Sequence, residues 1–219
     1  MTPAERLQTI RDGIAHAARP AKRDPADVTL IAVSKTRTVE EIEPLIEAGQ
    51  ADFGESRVQE ALDKWPQLLS RHPGLRLHCI GRLQSNKAAE AVRLFDTIHS
   101  VDRHSLLESL SKEAEKAKRY PSLYVQVNIG DEAQKGGCPI KEVGELVASV
   151  RASPMPLAGL MCIPPLGVEP SPFFALLAKI AREHGVDGLS MGMSADYKQA
   201  VMLGATAVRV GTALFEDDA

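Results

Sequence analysis

A surplus of either charge is missing from this sequence, and so are a disulfide framework, a metal-binding histidine pattern and any membrane-length apolar run. With 26 basic against 29 acidic residues the net charge is −3, which leaves no electrostatic footprint for nucleic acid. The stretch Lys112 to Arg119 is interleaved with Glu113 and Glu115 and reads as a solvated helix face. Cys79, Cys138 and Cys162 are odd in number, far apart and in no Cys-x-x-Cys arrangement. That excludes a stapled secreted scaffold and fits a reducing compartment, so a cytoplasmic protein is expected. No His-x-x-x-His or carboxylate spacing suits a metal, and none is expected. Met1 to Arg19 alternates charge with alanine at helical spacing and lacks the apolar centre of a signal peptide. No apolar run approaches bilayer length, which argues against a membrane partner. Linkers and low-complexity tracts are absent too, so residues 1–219 read as a single domain opened by a helix.

What is present is an alternation of short apolar runs with amphipathic stretches. Val28 to Val33 is continuous and β-branched, the pattern of a strand buried on both faces of a parallel sheet. Thr38 caps a helix beginning at Val39, with Glu41 at the capping-box position and Gly49 as its stop. Further strands are expected at Ala51 to Phe53, Leu75 to Ile80, Phe95 to Ser100 and Leu123 to Ile129. Three more fall at Pro156 to Cys162, Gly188 to Met191 and Ala205 to Val210. Helical patterns lie between them, as at Ser105 to Lys118, Ile140 to Arg151 and Pro172 to His184, where His184 suits a helix end. An open doubly wound sheet shares this local pattern. The count of eight strands and the lack of an obvious edge strand favour a closed (β/α)₈ barrel.

Barrels of this kind carry function at the C-terminal ends of their strands. Lys35 ends the first strand there, on the face of Ile31 and Val33, where partial desolvation would free a neutral amine for Schiff-base chemistry. Equally, a lysine leaving a strand can simply reach to water. After the seventh strand, Gly192-Met193-Ser194-Ala195-Asp196 offers a tight turn and, in Ser194, an N-cap. After the eighth, Gly211-Thr212 offers a glycine, a hydroxyl and a short helical piece. Phosphate often binds between these two loops. Arg209 interrupts an apolar strand and needs a partner, either a ligand group or a buried carboxylate such as Glu55. Lysine, phosphate loops and arginine together point to a phosphorylated aldehyde or ketone. Pyridoxal phosphate on a lysine and a class I aldolase both satisfy that description.

The sequence resembles the pyridoxal phosphate homeostasis proteins, which are similar to the barrel domain of alanine racemases. The matching segments begin with Ala32-Val33-Ser34-Lys35, Phe53-Gly54-Glu55 and His78-Cys79-Ile80-Gly81-Arg82-Leu83-Gln84-Ser85-Asn86-Lys87. They continue with Val127-Asn128, Lys135-Gly136, Gly159-Leu160-Met161, Ser190-Met191-Gly192-Met193-Ser194-Ala195-Asp196 and Val208-Arg209-Val210-Gly211-Thr212. The resemblance implies pyridoxal 5'-phosphate as cofactor, Lys35 as its Schiff-base lysine and Ser194, Gly211 and Thr212 as its phosphate cradle. It places Met193 and Ser56 beside them and Arg209 against the pyridine nitrogen. It implies a protein that holds the cofactor and passes it to apo enzymes, the rival being an amino-acid racemase. A racemase takes its second base from a further domain, which is not expected here. Three departures stand out: Ser56 replaces the family's usual Asn, the compact segment after Pro164-Pro165 lacks the usual spacing of acidic and basic residues, and Phe215-Glu216 replaces the family's Phe-Gly, a change expected to touch only the tail. Lys135 lies on the loop after the fifth strand, where it could guide an anionic cofactor or simply be solvated. Asn86 and Lys87 open a helix and are expected to lie just behind the site.

Overall fold

The structure is a computed structural model that describes residues 1–216; residues 217–219, part of the expected domain and tail, lie outside the described residues. The chain opens with α1 (Pro3–Ala18), capped by Thr2 in a capping box with Glu5. Then come β1 (Thr29–Val33), α2 (Val39–Glu47), β2 (Asp52–Glu55), α3 (Val58–Arg71), β3 (Arg76–Cys79), α4 (Ala88–Leu94) and β4 (Thr97–Val101). The chain continues through α5 (His104–Ala117), β5 (Ser122–Val127), α6 (Val143–Ala152), β6 (Leu157–Cys162), α7 (Ser171–Glu183) and β7 (Leu189–Ser190). It closes with α8 (Tyr197–Met202), β8 (Ala207–Val210) and α9 (Thr212–Phe215). All strands run parallel in sequence order, and β1 pairs with β8 from Thr29↔Ala207 to Ala32↔Val210. This last ladder removes both edges and decides for the barrel over the open sheet.

Every expected strand is present, with one or both ends shifted by a residue or more. β2 runs on through Gly54 and Glu55, paired with His78 and Cys79. β5 stops at Val127 because Asn128 folds its amide onto Glu132, accepting from its N–H and donating to its carbonyl. The expected cap of α2 is complete: Thr38 Oγ1 accepts from Glu41 N, and Glu41 Oε2 accepts from Thr38 N. His184 closes α7 as foreseen.

Alternate residues of each strand face opposite ways. One set, including Leu30, Ala32, Phe53, Leu77, Ile98 and Val208, packs outward against Ile42, Trp65, Val92, Leu110 and Phe174 of the helices. Each fully buried side chain of this size contributes ~1.5–3 kcal/mol. α1 packs beside α8 through Leu7, Ile10, Ile14 and Ala17 and pins α9, since Arg6 Nε donates to the Leu214 carbonyl at 3.1 Å. Among the described residues, no helix is long and apolar enough to cross a membrane.

Candidate cofactor site

β1 ends at Val33, and the turn that follows is held from α3. Lys64 Nζ donates to the carbonyls of Ser34 (2.8 Å) and Arg37 (3.1 Å) and pairs with Glu55 Oε1 at 2.7 Å. The same carboxylate oxygen accepts from Ser34 Oγ and Trp65 Nε1. Inside the turn Thr36 takes φ 63°, a left-handed conformation that a β-branched residue rarely adopts. Glu60 accepts from the Thr36 N–H and helps keep it there. Strain of this kind costs ~1–3 kcal/mol and persists only where surroundings fix it. Its effect is to aim Lys35 at the barrel mouth. The expected desolvation of the amine is not met: Lys35 is exposed, because the chain leaves the strand and lifts the side chain to the rim.

The floor is Arg209, on β8 and 4% exposed. It donates to Ser190 Oγ at 2.5 Å and to the Cys162 carbonyl at 2.9 Å. Glu55 does not pair with it: its Oε1 takes Lys64, Ser34 and Trp65, and its Oε2 meets no partner. Burial lowers the Arg209 pKa from its ordinary value, yet a guanidinium remains charged in proteins. A buried cation with no carboxylate ion-paired to it among the described residues calls for an acceptor from a ligand.

Two loops complete the mouth. Gly192 turns the chain after β7 at φ 94°, which only glycine adopts without strain. Ser194 does not cap α8 as expected. That helix starts later, at Tyr197, because Asp196 Oδ1 takes the Met193 N–H and the Met193 carbonyl takes the Tyr197 N–H. Ser194 Oγ instead accepts from Gly211 N at 3.2 Å, tying the loop after β7 to the loop after β8. A Cβ on Gly211 would stand 3.4 Å from that of Val33, in ordinary van der Waals contact with the end of β1.

Lys35, Ser56, Met193, Ser194, Arg209, Gly211 and Thr212, all expected from sequence, line one cavity of about 490 Å³. Glu216 lines it too and forms an ion pair with Arg37 at the rim, so this departure from the family reaches the site and not merely the tail. Lys135 does not line it; it pairs with Glu132 at 2.6 Å and donates to the Pro164 carbonyl. Asn86 and Lys87 face a larger neighbouring hollow with Arg57, Arg82 and Arg103 that holds none of the seven. Size alone therefore does not select the site. The supports of the Lys35 turn, Lys64, Glu60 and Thr36, escaped sequence reasoning. Nothing in their spacing marks them, since each acts across a helix-to-strand contact.

The donor set suits an anionic heteroaromatic aldehyde: an accessible amine, two hydroxyls on adjoining loops, a glycine gap and a buried donor-only cation. A thiol mechanism finds no support, because burial pushes Cys79, Cys138 and Cys162 up to about 12. Among the described residues no group of His, Cys, Asp and Glu could hold a metal.

Known proteins share this arrangement of chain. The family profile described as alanine racemase, N-terminal domain, matches residues 6–218. The pyridoxal phosphate homeostasis protein of Pseudomonas aeruginosa is 39% identical over 220 residues, covering 98% of this chain and 95% of that protein. PipY of Synechococcus elongatus, solved with pyridoxal phosphate bound, superposes with a TM-score of 0.83 at 39% identity, over 97% of this chain and 99% of that one. The alanine racemase of Corynebacterium glutamicum shares only the fold, at 22% identity and a TM-score of 0.65, over 95% of this chain and 62% of that one. The chain therefore belongs to the alanine racemase N-terminal domain family and, within it, to the pyridoxal phosphate homeostasis proteins.

Proposed function

We propose that this protein holds pyridoxal 5'-phosphate on Lys35 and surrenders it to apo forms of pyridoxal phosphate enzymes, in the cytoplasm, without turning over amino acids itself. The whole of residues 1–219 would act as one cofactor-binding barrel. The observation that carries the proposal is the convergence of an exposed lysine, paired hydroxyls and an unpaired buried arginine on one cavity. Pyridoxal phosphate supplies an aldehyde that condenses with amines and a ring that withdraws electrons.

Lys35 contributes the amine, and its open position leaves it reachable by competing amines. Ser194 and Thr212 present hydroxyls to a phosphate, and the bare Gly211 leaves room for it. Hydrogen bonds to such a charged group are worth ~1.5–3 kcal/mol each. Arg209 has no lone pair to offer, so a pyridine nitrogen meeting it can only accept a hydrogen bond and stays unprotonated. That weakens the ring as an electron sink, which suits a carrier.

The racemase alternative needs a proton-transfer group on each face of the substrate. Of the titratable side chains lining the cavity, Arg37 and Glu216 are tied to one another and Arg209 does not deprotonate. Lys35 is left to act alone. The test is to load the protein with pyridoxal phosphate, incubate it with L- and D-alanine in deuterated buffer and follow exchange at Cα. Negligible exchange, with cofactor passing to an added apo enzyme, is expected. Exchange at ~1 s⁻¹ or faster would place the protein among ordinary enzymes and overturn the carrier function.

A further inference from the structure

A file of buried polar side chains crosses the barrel lumen from one end to the other. At the N-terminal end, beside a cavity lined by Asp52 and Arg76, Arg76 donates to Asp52 through Nε (2.7 Å) and Nη2 (2.5 Å). His78 Nε2 lies 3.0 Å from Asp52 Oδ1, and His78 Nδ1 lies 3.0 Å from His99 Nε2. His99 Nδ1 lies 2.9 Å from Ser190 Oγ, which accepts from Arg209 at the floor of the cofactor cavity. Beyond the exposed Arg76, the file takes one residue from each of β2, β3, β4, β7 and β8.

We propose that Asp52, His78, His99, Ser190 and Arg209 form a directional relay that fixes both histidine tautomers and couples the N-terminal end of the barrel to the cofactor site. The last coupling rests on the function proposed above; the direction of the relay does not. The direction follows from proton counting. A guanidinium only donates, so Ser190 Oγ accepts from Arg209 and has one proton left to give. It goes to His99 Nδ1. His99 then carries its proton on Nε2 and donates to His78 Nδ1. His78 in turn carries its proton on Nε2 and donates to the Asp52 carboxylate. Every bond points from the cation to the anion.

Protonating His78 makes both its nitrogens donors and reverses the two bonds between it and Ser190, while Asp52 still accepts from Nε2. His99 would donate from Nδ1, and Ser190 would accept twice, with no other acceptor bonded to its hydroxyl among the described residues. The charge state at Asp52 and His78 thereby changes what Arg209 meets.

The surroundings hold the forward direction. His78 faces Asp52, Arg76 and His99. His99 faces His78, Ser190, Arg209 and the Tyr124 ring, which stacks on it at 4.4 Å and 10°. Burial, then the charges of His78 and Arg209, hold His99 well below the usual histidine range. Burial alone would raise the Asp52 carboxyl, but hydrogen bonds from His78 and Arg76 outweigh it and hold it low. Chains of this kind are stable only when every member is satisfied.

The experiment is a ¹⁵N-histidine NMR titration of the full chain between about pH 5 and 8, the range in which ordinary histidines change charge. It is run with and without pyridoxal phosphate, while absorbance of the bound cofactor is followed over the same range. Neutral Nε2–H patterns at His78 and His99 near neutral pH are expected, with His99 uncharged throughout. Any protonation of His78 should shift the cofactor band at the same midpoint. Ser190→Ala should leave His99 in mixed tautomers and uncouple the two midpoints. An Nδ1–H His99 while His78 is neutral, in the unsubstituted protein, or protonation of His78 without any change in the cofactor band, overturns the relay. These two readouts need no variant, so a misfolded Ser190→Ala does not protect the idea. Failure of the cofactor to bind would sink the proposed function, while the histidine pattern would still decide the direction.

Discussion

The two faces of the barrel strands differ sharply in chemistry. Toward the helices stand Leu30, Phe53, Leu77, Ile98, Leu123 and Val208, all in one apolar cluster with Trp65 and Phe174. Toward the lumen stand His78, His99, Ser190 and Arg209, each one residue along from an apolar neighbour and each buried. Barrel interiors are usually filled by branched aliphatic side chains. Here the outer layer supplies most of the hydrophobic stabilisation, and the lumen, beside a few apolar residues such as Ile31 and Met161, carries a hydrogen-bonded file that ends at the site. Stability and function are thus separated by a single step along each strand.

That separation can be broken from either side. The largest effect is expected from the shell. Phe174, fully buried on α7, should cost ~3–5 kcal/mol of unfolding free energy as Phe174→Ala. The fraction that remains folded should still bind pyridoxal phosphate with unchanged affinity. Denaturant melts paired with cofactor titration check this, and lost affinity in folded protein would mean that shell and site are not separate.

A smaller effect is expected from the lumen. The folded pKa of His99 lies well below its ordinary value of 6.5. Below pH 6.5 the unfolded chain therefore binds a proton that the native state refuses, and stability falls as pH falls. The slope approaches ~1.4 kcal/mol per pH unit for one such group, until the depressed folded value is reached. Above 6.5 this contribution is complete and the curve is flat with respect to His99. The difference in stability between the unsubstituted protein and His99→Gln, measured from pH 7 downward, should carry that slope. A constant difference would show that His99 is not held neutral.

The shell was legible in the sequence because burial on both faces of a parallel sheet leaves continuous apolar runs, as at Leu30 to Ala32. β2 was read short, since Gly54 and Glu55 have little strand preference of their own and join only through pairing with β3. At the site, Lys35, Arg209 and Thr212 could be named because strand ends are where barrels place function. Ser194 was named for a capping role it does not perform; its bond to Gly211 joins two loops and has no local signature. Thr36, Glu60 and Lys64 stayed hidden because a strained turn and its helix supports meet only in three dimensions. The lumen file was hidden more deeply. It takes single residues from separate strands, so its histidines show no spacing at all.

Lys35 should contribute the least to stability and the most to binding. Lys35→Ala is expected to shift unfolding free energy by less than ~0.5 kcal/mol, as for an exposed residue. The most direct measurement is borohydride reduction of the cofactor-loaded protein, followed by peptide mass mapping. The account predicts a single reduced pyridoxyl adduct on Lys35, absent from the folded Lys35→Ala protein. An adduct on Lys64 or Lys135 instead, or one of undiminished yield in Lys35→Ala, would contradict it.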